Sequence, residues 1–402
     1  MPLLKRRACV AAAVAAAVPT LRAQAAAWHV SLLEAPEPIV QLRPGESAGW
    51  IAAGANGGLW WLRAPSAPVR LAAGIDPRTP IDAAHGRVVA RCVDGRLWIG
   101  AAGGGPSAVC ATPVARDGGF ASLPLGVIAV EGEGENAHLV RVEPHSGGRW
   151  QVTARSREAV LPDARPVQVD LEGRGDDGHI AVLAGPDRLR YPHAVLGDDI
   201  EAVRVLYLER HELTPMRSID LPAPNVFEHN RLRVWRDGSR VALVTVRSGP
   251  QGSQLAAIEA DPVRSRLLHI AALGPAIGTP MRWMSPSTDG RHLVSVHTPH
   301  IGGVLHRVRR DEGRLISTRL VEGVSNHAIG SHDLDQSAWI GQLVAMADMS
   351  RRQLRSFDLA RGVELPPLGL PGVLGALSVD AERRTIALAL DDGSLRLLAP
   401  RD

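Results

Sequence analysis

Three histidines stand in loop-like sequence with a glycine two to four residues behind them: His193, His300 and His327. Imidazole titrates near neutral pH and is a common metal ligand, so these positions raise the first question of chemistry. Asp198 and Glu201 follow His193 closely, and His292, His297, His306 and His332 lie near the other two. A convergent site of His193, Asp198, Glu201, His300 and His327 would bind a polar ligand or an ion. It requires their loops to emerge on one face of the molecule. No His-x-Glu-x-x-His pattern or other tight ligand spacing is present. Thr298-Pro299, between His297 and His300, keeps the backbone extended and turns those two rings apart. The competing reading gives each loop histidine a backbone carbonyl as partner and no further role.

Other chemistries find little support. There is no Gly-x-Ser-x-Gly elbow, no Cys-His nucleophile signature and no Cys-x-x-Cys-His haem attachment. Gly173-x-Gly175-x-x-Gly178 has the spacing of a dinucleotide fingerprint, but a strand follows it, and a pyrophosphate cradle needs a helix N-terminus. Arg174-Gly175-Asp176 spells an adhesion tripeptide that three residues produce by chance.

The elements that must position these residues are short strands. Eight strand-turn-strand units recur, their first strands near Ile51, Val88, Val127, Ile180, Val241, Leu293, Ile340 and Ile386. Asn56-Gly57-Gly58, Asp94-Gly95 and Asp392-Gly393 suit tight turns between paired strands. Asp237-Gly238 and Asp289-Gly290 suit connecting turns just before a first strand. With 30 prolines and 41 glycines spread along 402 residues, no 12-residue window holds a helical period, and residues 348–359 read as a short helix or as two strands and a turn. Units of 40–50 residues predict an all-β propeller of eight blades by hairpin count, with seven as the alternative. The nine tryptophans fall in or beside strands, as rings wedged between blades would.

Residues 1–25 read as an export signal: Lys5-Arg6-Arg7, an apolar run from Ala8 to Val18, then Ala23-Gln24-Ala25 for cleavage. The run is too short to span a bilayer. The expected location is the periplasm or outside the cell, with residues 26–402 forming one propeller domain. Losing the four basic residues of this leader takes the formal charge from +3 to −1, which leaves no electrostatic footprint for nucleic acid. A monomer is expected. Cys92 and Cys110 fall on the second and fourth strands of one predicted blade, too far apart to pair readily, and are read as separate thiols.

Residues 166–183 contain Asp170-Leu-Glu172-Gly-Arg-Gly-Asp176-Asp177-Gly ahead of an apolar strand. This resembles a worn copy of the FG-GAP or VCBS repeat, whose acidic loop precedes a strand. Residues 226–246 and 280–303 resemble later copies, and Tyr191-Pro192-His193 and Ser325-Asn326-His327 resemble features of secreted bacterial proteins that carry such repeats. The resemblance implies calcium at Asp170, Glu172 and Asp176. Arg174 replaces an expected acid, and the later loops keep only Asp237 and Asp289, so any such binding is weak. No other cofactor is expected.

These readings point first to an exported, non-enzymatic propeller acting as a binding scaffold for a protein or extracellular ligand. The alternatives are a propeller enzyme of lyase or quinone-dependent dehydrogenase type, with its site in the central channel, and a calcium-stabilised adhesion module. A deep channel with converging charged side chains favours the enzyme, and a shallow mouth rimmed by hydrophobic loops favours the scaffold.

Overall fold

A computed structural model describes residues 27–401 except 46–48, 106, 174, 176 and 177. The leader, residues 1–25, lies outside the described residues. The strands group into eight antiparallel units of four. In chain order these are blade 1 (residues 39–72), blade 2 (82–113), blade 3 (120–155), blade 4 (167–220), blade 5 (233–273), blade 6 (284–322), blade 7 (338–369) and blade 8 (374–400). Blade 8 takes its fourth strand from the other end of the chain: Trp28–Leu33 pairs along its length with Leu395–Pro400. The fold is a β-propeller. Among the described residues the helical pieces are three short 3-10 turns, and no helix is long and apolar enough to cross a membrane.

The second strand of each blade explains why the repeat is legible. Ile51-Ala52-Ala53, Val88-Val89-Ala90 and Ile386-Ala387-Leu388-Ala389 are buried on both faces, and a strand covered on both sides reads as a continuous apolar run. Alanine recurs there because neighbouring sheets approach closely, whereas larger rings fill the gaps. Every unit read from sequence falls on such a second strand except Ile340, which closes the first strand of blade 7 (Ala338–Ile340). Residues 348–359 form two strands and a turn.

Each blade buries its apolar face against the next. Ile51, Val88 and Trp98 pack in the seam between blades 1 and 2, Val89, Val127 and Val142 between blades 2 and 3. A continuous cluster crosses blades 3 to 5, followed by seams between 5 and 6, 6 and 7, and 7 and 8. Leu42 and Trp50 then meet Ala387 and Leu395, so blade 1 packs on blade 8 and the ring closes. Cys92 and Cys110 are free thiols, with the strand Arg96–Ala101 between them.

Strand direction alternates within a blade, so the loops between second and third strands leave at one end of the ring together with the connections from blade to blade. Two of these connections are pinned by short strands. Val226–Phe227 pairs with Ala202 of blade 4 and with Arg247 and Ser248 of blade 5, and Val324–Ser325 pairs with Ala347 and Asp348 of blade 7.

Candidate functional site

His193, Asp198, Glu201, His300 and His327 all stand at that one end. His193 and Asp198 occupy the loop between the second and third strands of blade 4, and Glu201 opens the third strand. His300 lies in the corresponding loop of blade 6, and His327 in the connection from blade 6 to blade 7.

His300 and His327 are in direct contact. His327 Nε2 donates to the carbonyl of Ser331 at 2.8 Å, which leaves Nδ1 to accept from His300 Nε2 at 2.7 Å. A neutral His327 with its proton on Nε2 satisfies both contacts. Burial holds His327 down to about 4 and also lowers His300. The Trp283 ring packs edge-on against His327, with centroids 5.2 Å apart, and its Nε1 donates to the Glu228 carbonyl at 2.8 Å. Glu228 is fully buried and its carboxylate pairs with His193 Nδ1. Of the backbone carbonyl partners expected for the loop histidines, His327 has one in Ser331, whereas His193 pairs with Glu228 and His300 with His327, contacts that link blades 4 to 7.

The acidic half of the site lies beside this. Asp163, in the connection from blade 3 to blade 4, accepts from Asn230 Nδ2 at 3.0 Å and lies 3.1 Å from His332 Nδ1. Asp198 turns towards the same point. Burial, and then the charge of Asp163, pushes its carboxyl up to about 6. Glu201 is only 4% exposed and is raised well above the usual range, by burial first and then by Glu228, Asp163 and Asp198. The neighbouring Asp199 turns outward and pairs with Arg188 on the surface. For His332 burial disfavours the charged ring, but Asp163 and Asp117 outweigh it and raise the imidazole.

The inner strands add a basic lining. Arg43 and Arg233 lie on the first strands of blades 1 and 5, Arg165 and Arg231 in the connections leading into blades 4 and 5, and the four interact through space. Arg231 is exposed to the channel yet enclosed by protein, and that enclosure together with Arg233, Arg165 and Arg43 holds its guanidinium down to about 9. Two carboxylates oppose the group: Asp333 lies 3.5 Å from Arg165, and Asp335 lies 3.2 Å from Arg233. A cavity of about 290 Å³ opens here, with Gln41, Arg43, Asp117, Arg165, His332 and Asp333 in its wall.

Asp163, Glu228 and the four arginines were missed in the sequence. One signal was present: Glu228-His229 and Asn326-His327 occupy the same place in the repeat, directly after the short strands Val226–Phe227 and Val324–Ser325. The Asp170 loop lies elsewhere. Asp170 accepts from the amides of Glu172 and Gly175, and Glu172 pairs with Arg217 at 2.7 Å. Asp176 lies outside the described residues.

Gly303 fixes the His300 loop. Its φ is +40°, and a Cβ there would lie 1.7 Å from the Val324 carbonyl oxygen. Replacing it with alanine forces the loop away from Val324–Ser325 and is expected to cost roughly 2–4 kcal/mol in urea unfolding. A loss under 0.5 kcal/mol would show that the loop does not anchor the connection.

No family model and no curated protein matches the sequence. Three solved structures are similar to it over nearly their whole length. BamB from Moraxella catarrhalis is 13% identical with a TM-score of 0.54, covering 92% of this chain and 96% of its own. The computationally designed Ika8 protein is 11% identical with a TM-score of 0.58, at 92% and 98% coverage. Sqt1 from Saccharomyces cerevisiae is 9% identical with a TM-score of 0.55, at 93% and 98% coverage. At these identities the likeness is one of fold, and that fold is the propeller ring.

Proposed function

We propose that this protein is an exported, monomeric propeller that binds a carboxylate-bearing extracellular ligand at the channel mouth without transforming it. The kinship to FG-GAP or VCBS repeats and the periplasmic or secreted location belong to the same proposal. One observation carries it: Arg43 and Arg165 line an open cavity, Arg231 and Arg233 stand close enough to act on them through space, and Asp333 and Asp335 pair with only two of the four guanidinium groups. Guanidinium forks match carboxylates bidentately, and such contacts are strongest where water is scarce. A mouth lined this way suits a polar anionic ligand better than an apolar protein surface.

Oligogalacturonate, with neutral maltooligosaccharide as control, is a direct probe. Calorimetry is expected to show binding of the acidic oligomer alone, weakened by salt. Arg231→Gln should lower the affinity about tenfold or more, the effect of losing one charge-assisted hydrogen bond. Equal binding of the neutral oligomer, or an unchanged affinity in the variant, contradicts the reading.

The enzyme alternative rests on the same converging charges and on Asp198, held at about 6 beside the buried Glu201. Recovery of shortened oligomers after incubation would favour it over the binding role.

A further inference from the structure

The geometry points to a divalent transition-metal site, of the zinc type, formed by Asp163, Asp198 and His332. We propose it as a site that adjoins the arginine-lined cavity and shares His332 with its wall, and it stands whether or not that cavity takes an anion.

The three residues come from three different connections: blade 3 to blade 4, the loop within blade 4, and blade 6 to blade 7. One ligand atom from each lies within 4.8 Å of the other two. Zinc binds carboxylate oxygen and imidazole nitrogen at about 2.0–2.2 Å, so the edge of a tetrahedral site is about 3.3 Å long. The 3.1 Å between His332 Nδ1 and Asp163 Oδ2 is already close to that edge. Asp198 uses Oδ1 to accept the Ile200 amide at 2.8 Å, which leaves Oδ2 to turn to the ion. One nitrogen and two oxygens select a borderline ion rather than calcium or magnesium, which prefer oxygen alone. Three protein ligands leave a fourth position for water.

A second observation points the same way. Glu201 is 4% exposed and adjoins Asp163 and Asp198, yet no hydrogen bond among the described residues reaches its carboxylate. Neither Asp163 nor Asp198 is paired with a guanidinium among the described residues; their partners are Asn230, His332 and a backbone amide. Carboxylates packed this densely without fixed positive charge are costly, and a divalent ion would offset that cost. Asn230, which donates to Asp163 at 3.0 Å, and Asp117, whose Oδ2 lies 3.9 Å from His332 Nε2, would orient the ligands from behind. Binding would form three metal–ligand bonds and displace the Nδ1 proton through which His332 now bonds Asp163.

The test uses the whole folded chain after chelation, titrated with zinc by calorimetry and with cobalt by visible absorption. The expected result is one tight equivalent per chain and a cobalt spectrum with at least one nitrogen ligand. Asp198→Asn and His332→Ala should each weaken binding at least 100-fold, while Asp170→Asn, in the turn of blade 4, leaves it unchanged. Circular dichroism checks folding, and Asp198→Asn carries the test if His332→Ala does not fold. The proposal is overturned if no stoichiometric equivalent binds, or if zinc affinity survives both substitutions because other histidines supply it. Loss of oligogalacturonate binding in Arg231→Gln, with zinc binding retained, separates this site from the anion reading.

Discussion

Replacing Trp28 with alanine is expected to lower the stability of the whole ring by about 3–5 kcal/mol, the range for an aromatic side chain removed from a packed core. Trp28 is 1% exposed and belongs to the cluster that joins blade 7 to blade 8, beside Ile340, Leu354 and Leu398. Five residues on, Leu33 sits in the seam between blade 8 and blade 1. A single six-residue strand therefore touches both seams of the last blade. Deleting residues 27–33 should do more than remove two side chains. It strips Leu395–Pro400 of its outer ladder partner, leaving it paired only with Thr385–Leu390, and opens an apolar sheet edge to other chains. Urea unfolding followed by tryptophan fluorescence is expected to shift from one cooperative transition to a broad one at lower urea, with aggregation at micromolar concentration. If Trp28→Ala loses less than 1 kcal/mol, and the shortened chain still unfolds in one step, closure by this strand is not what holds the ring.

The same ring decides which features were legible in the sequence. The second strands could be read because burial on both faces removes polar residues from them, as in Val127-Ile128-Ala129-Val130. Blade 7 misled by a few residues because its first strand is only Ala338–Ile340 and is as apolar as the strand after it. The loops that meet at the site could be guessed from their histidines, since His300 and His327 carry chemistry in their type. Asp163 and Glu228 could not. Each is one acid in a connecting segment, and apart from the repeat position of Glu228 nothing distinguishes it from a solvated turn residue. Their burial follows from where the connections cross, which is a property of eight blades together. The arginines were hidden in another way. Arg43 and Arg233 look like ordinary polar positions of alternating strands, and only the closed ring turns them onto a shared axis. Reading strands thus gave the architecture, while the site depends on contacts between segments more than 100 residues apart, such as Asp163 with His332.

His297→Phe is expected to flatten the loss of stability on acidification without changing it at pH 7.5. His297 ends the second strand of blade 6 and stacks on His306 with centroids 3.8 Å apart and planes 10° from parallel. Its Nε2 is buried with no partner among the described residues. Burial, and then the nearby His306, holds the imidazole down to about 4. His306 is itself lowered by burial and by Arg319 on the adjoining strand, so no acid compensates the pair. The unfolded chain takes up this proton near 6.5 and the folded chain only near 4. Stability from the neutral ring is therefore complete above pH 6.5 and is lost as the pH falls towards 4, by roughly 3 kcal/mol at most. Phenylalanine keeps the stacking surface and cannot be protonated. Melting curves from pH 7.5 to 4.5 should coincide for the two proteins at the upper end and diverge below pH 6, with the variant the more stable. Part of the slope should remain in the variant, because His327, also held at about 4, titrates in the same direction. Parallel curves across the whole range would mean that His297 accepts its proton in the folded ring as readily as in the unfolded chain, and that the stacked pair opens to water at little cost.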